Sequence, residues 1–436
     1  MKLFRPLLQR PVALLWGGLA LSSIGDELFA IAIAWMAVQI AGTDASWLSA
    51  LRGAAALAGA LLGGIWAERW DHRRTMIGAD LARAGLALIP VIAWGLGIMS
   101  LWMLAVPLML MMIVNSLFEP ALRASLPRIV AAPDQLQSVN ALFDAIIRVA
   151  RVIGPMLAAA ITLLIPIEHL FTLNGITFLI SAWAVMKLGK ALPRQPVKAT
   201  SRRAGFTAGW RSLVGRRQMQ AVYVCAGLGN VAWSVGISIG MALAVVKYDI
   251  KGFGVQDFAA YGLIMGAYGA GNLISIFIVG NLQIRRLYHG FTFGSVVNGL
   301  GIATIGAAVM YLPPEHVLAG MMIGAGLAAL GGPLIDISFI LLIQTKFKQS
   351  EIAGLARLRF AALGASILIA GACGAALYAH FETGLVIVGA GIFEVIVGAI
   401  VLLIPKDNEA VQANREGGAS SSSLADGGEV ARMMSL

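Results

Sequence analysis

Residues 63–74 read Gly-Gly-Ile-Trp-Ala-Glu-Arg-Trp-Asp-His-Arg-Arg, and this short charged stretch separates two long apolar runs. Each flanking run, roughly 46–67 and 75–98, is long enough to cross a bilayer as a helix, which takes about 20 residues. The same alternation of apolar run and polar loop continues along the chain and gives twelve candidate spans. The runs do not alternate with a period of two residues, which argues against transmembrane strands.

The composition agrees with a polytopic membrane protein. Of the 436 residues, 59% are hydrophobic and 12% are charged, whereas soluble domains average about 45–50% apolar and about 25% charged residues. The net charge of +10 would suggest nucleic acid as the partner of a soluble protein, but here the basic residues lie between apolar runs. We therefore expect no nucleic-acid partner. The two cysteines lie inside apolar runs and the five histidines lack metal-ligand spacing, so we expect no metal and no cofactor.

The basic residues predict the orientation. Of the 32 Lys and Arg residues, 24 lie in the termini and the even-numbered loops, and two, Lys247 and Lys251, lie on the opposite side. By the positive-inside rule, both termini are expected to be cytoplasmic. The first run is about 29 residues long, which exceeds the apolar core of a signal peptide, so we expect it to be retained as a span.

The longest predicted cytoplasmic connection divides the spans into six and six, as in many secondary transporters. Its residues Phe206, Trp210 and Leu213 recur at helical spacing beside arginines, which is typical of an amphipathic helix on an anionic membrane surface. The tail is rich in Ser and Gly and is expected to be disordered. The predicted units are an N-terminal bundle over 1–188, a linker over 189–218, a C-terminal bundle over 219–405 and the tail over 406–436.

The two halves show a weak internal repeat. A shift of 217 residues superposes Glu119 on Asp336, and a shift of 204 places Gly25-Asp26 on Gly229-Asn230. Glu119 precedes Pro120, and Asp336 follows a Gly-Gly-Pro sequence. Helix breakers at matching places in two halves point to a binding or gating region, although a cytoplasmic helix end is an equal alternative for Glu119.

The acids of the first run are candidates for proton coupling. Asp26 and Glu27 lie at mid-depth, and adjacent helical residues point about 100° apart, so at most one of them points squarely into a given groove. Removal from water favours a neutral carboxyl and a nearby arginine favours an ionised one, and proton coupling needs this opposition. We expect Asp26 to act with Arg151. The alternative for either acid is a permanently paired structural charge. Glu394 stands alone in the last run, where we expect a peripheral structural role.

The fifth run carries a charged face. Asp144, Arg148, Arg151 and Pro155 lie on one side of the predicted helix. A charge at the bilayer centre costs about 2.5–3.5 kcal/mol, so this side is expected to face a cavity or protein. The alternative is an internal pair of Asp144 with Arg148 that only holds the bundle together.

The 63–74 stretch resembles the loop between the second and third helices of the major facilitator superfamily, which carries a glycine, an Asp-Arg pair and a basic cluster. Glu68 and His72 depart from that pattern. The resemblance implies a cytoplasmic gate against the other half, and the alternative is a set of charges that only fixes the topology. Asp80 and Arg83 follow at i, i+3, are expected to belong to the same gate, and are expected to pair with each other or with the loop. The matching residues are Gly64, Glu68, Arg69, Asp71, Arg73 and Arg74.

Residues 10–405 as a whole resemble this superfamily, and Gly154-Pro155 resembles its antiporter motif, although Ala158 and Ala159 stand where glycine is usual. The similar branch contains macrolide efflux proteins and the enterobactin exporter. It implies an all-α fold of two pseudo-symmetric six-helix bundles, and a monomer in a bacterial inner membrane. The implied activity is export of a small amphiphilic siderophore or drug by alternating access, in antiport with protons.

Three alternatives to export remain open. The first is a lysophospholipid flippase of the same fold, whose first helix is similar around Gly25-Asp26. The second is an intramembrane enzyme, against which the sequence has no His-Glu-x-x-His and no Gly-x-Ser-x-Gly motif. The third is a sensor that binds a ligand without transporting it.

Overall fold

The computed structural model describes residues 5–66, 71–130, 136–189, 205–281, 284–347 and 349–405, which are almost entirely helical. Among these residues the one β pairing is an isolated bridge between Gly252 and Val255. The helices are α1 (Arg10–Ala41), α2 (Ser46–Trp66), α3 (His72–Gly95), α4 (Leu101–Ile129), α5 (Leu136–Thr162), α6 (His169–Lys187), α7 (Gly205–Leu213), α8 (Arg217–Trp233), α9 (Met241–Lys247), α10 (Asp257–Asn281), α11 (Leu287–Tyr311), α12 (Pro314–Lys346), α13 (Gln349–His380) and α14 (Thr383–Leu403).

The helices have the length and composition of membrane spans. Ten helical stretches of the described chain are long and apolar enough to cross a bilayer, or eleven if one bent pair counts as a single span. One stretch, Arg10–Gly59, runs through α1 into α2. A π-helical segment, Ser234–Gly240, joins α8 to α9 within another stretch. The predicted all-α membrane fold is confirmed. The count of twelve membrane spans stays a prediction, as does the side of the membrane on which the termini lie.

The helices form two groups with corresponding arrangements. In the first group α6 packs against α1 and α3, and α4 packs against α2 and α3. In the second group α14 packs against α8 and α11, and α12 packs against α10 and α11. The most extensive contacts between the groups are made by two pairs of helices, α2 with α13 and α5 with α10. Each pair combines the second span of one half with the fifth span of the other.

Small residues allow these joining helices to touch backbone to backbone. A Cβ atom at Gly53 of α2 would overlap the backbone of Leu368 of α13, and one at Gly371 of α13 would overlap the backbone of Ala50. Small residues in membrane helices permit such close approach, which maximises van der Waals contact where lipid provides no hydrophobic driving force.

The two halves meet at one end of the molecule and are separate at the other. The end of the molecule that contains the first residues of α1 and α3 and the helix α7 is called the "linker end". The opposite end is called the "far end". At the far end a single buried core includes residues of both halves. There the Trp35 ring of α1 stacks on Tyr261 of α10, with ring centroids 5.8 Å apart. At the linker end the described residues of each half form a core of their own, which indicates that the space between the halves opens there.

The linker helix α7 packs against the second half. Gly209 lies against the backbone of Gly354 of α13 so closely that a Cβ atom would overlap it. Leu213 is buried, whereas Trp210 is exposed, and the side chain of Phe206 lies outside the described residues. The apolar stripe expected on the membrane surface is therefore divided between a protein contact at Leu213 and an exposed indole at Trp210.

Candidate functional site

Glu27 of α1 and Arg151 of α5 face each other near the middle of their helices. The Arg151 Nε atom lies 3.9 Å from Glu27 Oε1, and the side chains are 69% and 28% exposed, respectively. Because a charged side chain at this depth faces water or protein and not lipid, the pair lies on the wall of the space between the halves. The sequence suggests Asp26 as the partner of Arg151, but in this structure the neighbouring acid, Glu27, takes that place.

Gly154 and Pro155 position this pair. A Cβ atom at Gly154 would overlap the Cβ atom of Glu27, so α1 and α5 approach closely only because residue 154 is glycine. Pro155 cannot donate a hydrogen bond to the Arg151 carbonyl, and α5 bends by 41° between Arg151 and Ile153. Gly154 and Pro155 therefore set the distance between Arg151 and Glu27 and the direction in which the Arg151 side chain points. The side chain of Arg148 lies outside the described residues, as does that of Asp144.

Arg52 of α2 is a third member of the cluster. Its charge acts on Glu27 and Arg151, and its side chain is exposed. Two arginines therefore share one glutamate, and the cluster carries a net positive charge when Glu27 is ionised. In the sequence Arg52 looks ordinary, because a basic residue near the start of a span is common. Only the charges of Glu27 and Arg151 that act on it in the folded chain reveal its role.

Asp26 belongs to a different group, inside the first half. The charges that act on it come from Arg83, Glu27 and Asp80, and Asn174 of α6 lies beside it. Gly25 brings α1 against α6, because a Cβ atom there would lie 2.6 Å from Asn174 Oδ1. The Asp26 side chain is exposed at mid-span, and the polar groups that act on it all belong to α1, α3 and α6 of the first half.

Asp80 and Arg83 form a buried ion pair on α3, as their spacing predicts. The Arg83 Nη1 atom donates to Asn115 Oδ1 of α4 at 3.1 Å. Its guanidinium lies 4.5 Å from the ring centroid of Phe118 and 4.4 Å from that of Phe178 of α6. One side chain thus connects three helices by an ion pair, a hydrogen bond and two cation–π contacts. We interpret this group as an anchor of the first half.

The charged stretch before α3 makes its contacts within the first half. Asp71 caps α3 by accepting a hydrogen bond from the Arg74 amide at 2.9 Å. Arg73 Nη2 donates to the Met186 carbonyl at the end of α6 at 2.7 Å, and Arg74 is exposed. Among the described residues these members make no contact with the second half in this conformation. The predicted members Glu68 and Arg69 lie outside the described residues, as do the surroundings of Gly64.

The predicted repeat-mates Glu119 and Asp336 each have an arginine partner. Glu119 Oε1 accepts from Arg123 Nε at 2.8 Å within α4, and Asp336 of α12 pairs with Arg359 of α13. Neither acid contacts the Glu27–Arg151 pair. In the described part of the chain no group of three His, Cys, Asp or Glu residues could hold a metal ion.

Comparison with known sequences identifies related transport proteins. The family model described as Major Facilitator Superfamily matches residues 15–360. The multidrug efflux pump Tap of Mycobacterium tuberculosis is 25% identical over 374 residues, which cover 83% of this chain and 86% of that protein. The Tap protein of Mycobacterium bovis matches to the same extent.

Solved structures share the fold at low sequence identity. The crystal structure of the POT family transporter PepTSo superposes with a TM-score of 0.71 at 11% identity, covering 91% of this chain and 97% of that chain. A bacterial homologue of the iron transporter ferroportin in the inward-facing state gives a TM-score of 0.67 at 14% identity, covering 90% and 98%. These likenesses concern the fold alone.

Proposed function

Because the chain belongs to the Major Facilitator Superfamily, we propose that this transporter exports a small amphiphilic compound, drug-like or siderophore-like, in exchange for protons. The observation that carries the proposal is the Glu27–Arg151 pair at mid-depth, on the wall of a space that opens at the linker end. The similarity to a protein named as a multidrug efflux pump supports the direction of transport and the broad substrate class.

The exchange of substrate for protons follows from the charge of the cluster formed by Glu27, Arg52 and Arg151. With Glu27 ionised, its charge offsets part of the charge of Arg52 and Arg151. A proton on Glu27 removes that compensation, so the protonated and ionised clusters differ in the substrates that they accept. Proton and substrate then bind preferentially to different states of one site. A transporter that alternates between two access states uses this difference to couple the two fluxes.

Apolar and aromatic groups complete the amphiphilic character of the site. Trp233 of α8 and Tyr268 of α10 lie together, with Trp233 Nε1 donating to the Tyr268 hydroxyl at 2.8 Å, and the charge of Arg151 acts on Tyr268. A ligand with an apolar body and a polar group would contact the aromatic side chains with its body and the charged cluster with its polar group. The proposed orientation has the linker end in the cytoplasm of a bacterial cell and the protein acting as a monomer in the inner membrane.

The test is dye export from bacterial cells that lack their own efflux pumps. Cells with the full chain should accumulate less ethidium than cells with Arg151→Gln, and a protonophore should abolish the difference. Arg217→Gln, at the exposed first residue of α8, is the matched control and should export like the unaltered protein. If a panel of cationic, neutral and anionic amphiphiles shows no export, or if export survives the protonophore, the proposal is wrong.

A further inference from the structure

Glu394 lies in the middle of α14 and is buried inside the second half. Only 3% of its surface is exposed, and its Oε2 atom has no hydrogen-bond partner. No charged group of the described residues acts on it. An ionised carboxylate that is removed from water without a partner costs several kcal/mol. A purely structural acid would have a partner, so the peripheral role expected from the sequence does not explain this position.

The position of Glu394 mirrors that of the acid group in the first half. In the first half, Gly25 of α1 packs against Asn174 of α6. In the second half, Gly229 of α8 packs against Glu394 of α14, and a Cβ atom at Gly229 would lie 3.7 Å from Glu394 Oε1. Each half thus places a glycine of its first span against a polar residue of its last span.

The two halves place the carboxyl and the carboxamide on opposite helices. Asp26 follows Gly25 on the first span and has Asn174 beside it. In the second half the residue after Gly229 is Asn230, and the carboxyl group is on the last span. The Asn230 Nδ2 atom is buried without a hydrogen-bond partner. An unused amide donor and an unused carboxyl oxygen therefore lie on two packed helices, α8 and α14.

Few ionisable groups face Glu394 from the helices around it. Its charge acts on Tyr268 of α10, and Arg151 and Asp336 act on the same tyrosine. On α8, Cys225 lies one turn before Gly229 and is buried. On α13, the Tyr378 hydroxyl is already bonded to the Val235 carbonyl at 2.8 Å.

The other packed segments add no ionisable side chain at this depth. The π-helical segment Ser234–Gly240 has none, and the single one of α9 is Lys247 at its end. The ionisable residues of α11 are confined to its two ends, as Tyr288, His289 and Tyr311. No basic side chain among the described residues therefore compensates Glu394.

We propose that Glu394 is a second proton-binding site, specific to the second half, and that Tyr268 and Trp233 lie between it and the Arg151 side of the cavity. The carboxylate takes its proton from water that enters the cavity and returns it to water, so no other reactant is needed. Proton binding at Glu394 stands on its own geometry, whereas its use in transport rests on the proposed function. With Glu27 in the first half and Glu394 in the second half, the transporter exchanges two protons per cycle.

Infrared difference spectroscopy on the full chain in lipid nanodiscs tests the site without any substrate. A rise in pH from about 6, where ordinary exposed carboxyls are already ionised, should remove a carboxylic C=O band from the unaltered protein, and Glu394→Gln should lose part of that change. Glu382→Gln, at the exposed start of the same helix, is the matched control and should keep the full change. If the pH-dependent band is the same in Glu394→Gln and the unaltered protein, Glu394 does not exchange a proton and the proposal is wrong.

The number of protons transported per substrate tests whether Glu394 takes part in transport. In proteoliposomes with the membrane potential clamped at zero, two protons per substrate sustain an ethidium gradient of about 100-fold per pH unit, and one proton sustains about tenfold. The unaltered protein should give the larger value and Glu394→Gln the smaller. Equal gradients would refute a transport role for Glu394. If the unaltered protein builds no gradient, the proposed export function is wrong, and the infrared result still decides the proton site.

Discussion

At the scale of single residues, the ion pair between Arg151 and Glu27 is the contact most open to substitution. It is made by Nε, an atom of the planar guanidinium that lysine lacks. We expect Arg151→Lys to export ethidium in proteoliposomes at a rate between those of the unaltered protein and Arg151→Gln, because the charge remains and the geometry is lost. Equal rates for the lysine and glutamine variants would show that the planar group has no role.

The buried pair of Asp80 and Arg83 should dominate the stability of the first half. Arg83→Met would leave the Asp80 carboxylate, which is fully buried, without its ion-pair partner, and such changes cost about 3–5 kcal/mol. The double variant Asp80→Asn with Arg83→Met should lose less, because no uncompensated charge remains. Unfolding of the purified proteins in detergent measures both losses. A double variant less stable than Arg83→Met would contradict the assignment of this pair as an anchor.

Which of two adjacent acids pairs with Arg151 could not be predicted from the sequence. Asp26 and Glu27 lie at the same depth and differ only in direction around α1, by about 100°. The choice is made by Gly154, whose missing side chain admits Glu27, and by Asn174, which lies beside Asp26. Both are contacts between helices distant in sequence, which the spacing along one helix does not contain.

At the scale of helices, Gly154 controls the approach of α1 to α5. A methyl group there would overlap Glu27, and overpacking of this kind costs about 1–3 kcal/mol. We expect Gly154→Ala to lower both the unfolding temperature and the rate of ethidium export. Gly85→Ala on α3 is the matched control, because its Cβ atom would meet open space, and it should leave both quantities nearly unchanged. A similar effect of the two substitutions would refute this role of Gly154.

The linker helix shows what helical periodicity predicts and what it leaves open. The spacing of Phe206, Trp210 and Leu213 indicates an apolar stripe, and α7 is helical over Gly205–Leu213. The stripe does not reveal whether lipid or protein covers it. In the structure, Gly209 and Gly354 let α7 approach α13 closely, and Leu213 is buried there. This contact depends on two glycines about 145 residues apart, so it is invisible in the local pattern.

At the scale of the whole molecule, the far end must open during transport. A short thiol-reactive cross-linker between Trp35→Cys and Tyr261→Cys, whose native rings stack 5.8 Å apart, should hold the halves together and stop ethidium export. Cys225→Ser and Cys373→Ser provide the background without native thiols. Cleavage of the cross-linker should restore export.

A cross-link within one half is the control for this prediction. Phe29→Cys with Phe171→Cys joins α1 to α6, where the native rings lie 5.2 Å apart, and both helices belong to the first half. This link should leave most of the export activity intact. If the link between the halves also leaves export intact, opening of the far end is not part of the cycle.

The architecture was predictable from the sequence to the level of spans and halves. Apolar run length predicts membrane helices, and the described chain has ten or eleven stretches of that kind. The division into six and six at the long basic connection stays a prediction. The joining pairs α2–α13 and α5–α10 follow from the tertiary arrangement, which the runs do not encode. For the same reason Arg52 and Glu394 look ordinary in the sequence, since their roles depend on what packs beside them.

The coupling of proton and substrate fluxes by Glu27 is tested most directly by Glu27→Gln in proteoliposomes. We predict that this variant sustains at most the one-proton ethidium gradient of about tenfold per pH unit but still exchanges labelled for unlabelled ethidium, because the site remains and its proton does not. Asp26→Asn, one position away and outside the Glu27–Arg151 pair, should retain part of the gradient-driven transport. Ethidium concentrated by Glu27→Gln to the level of the unaltered protein, under the same pH gradient, would contradict the account.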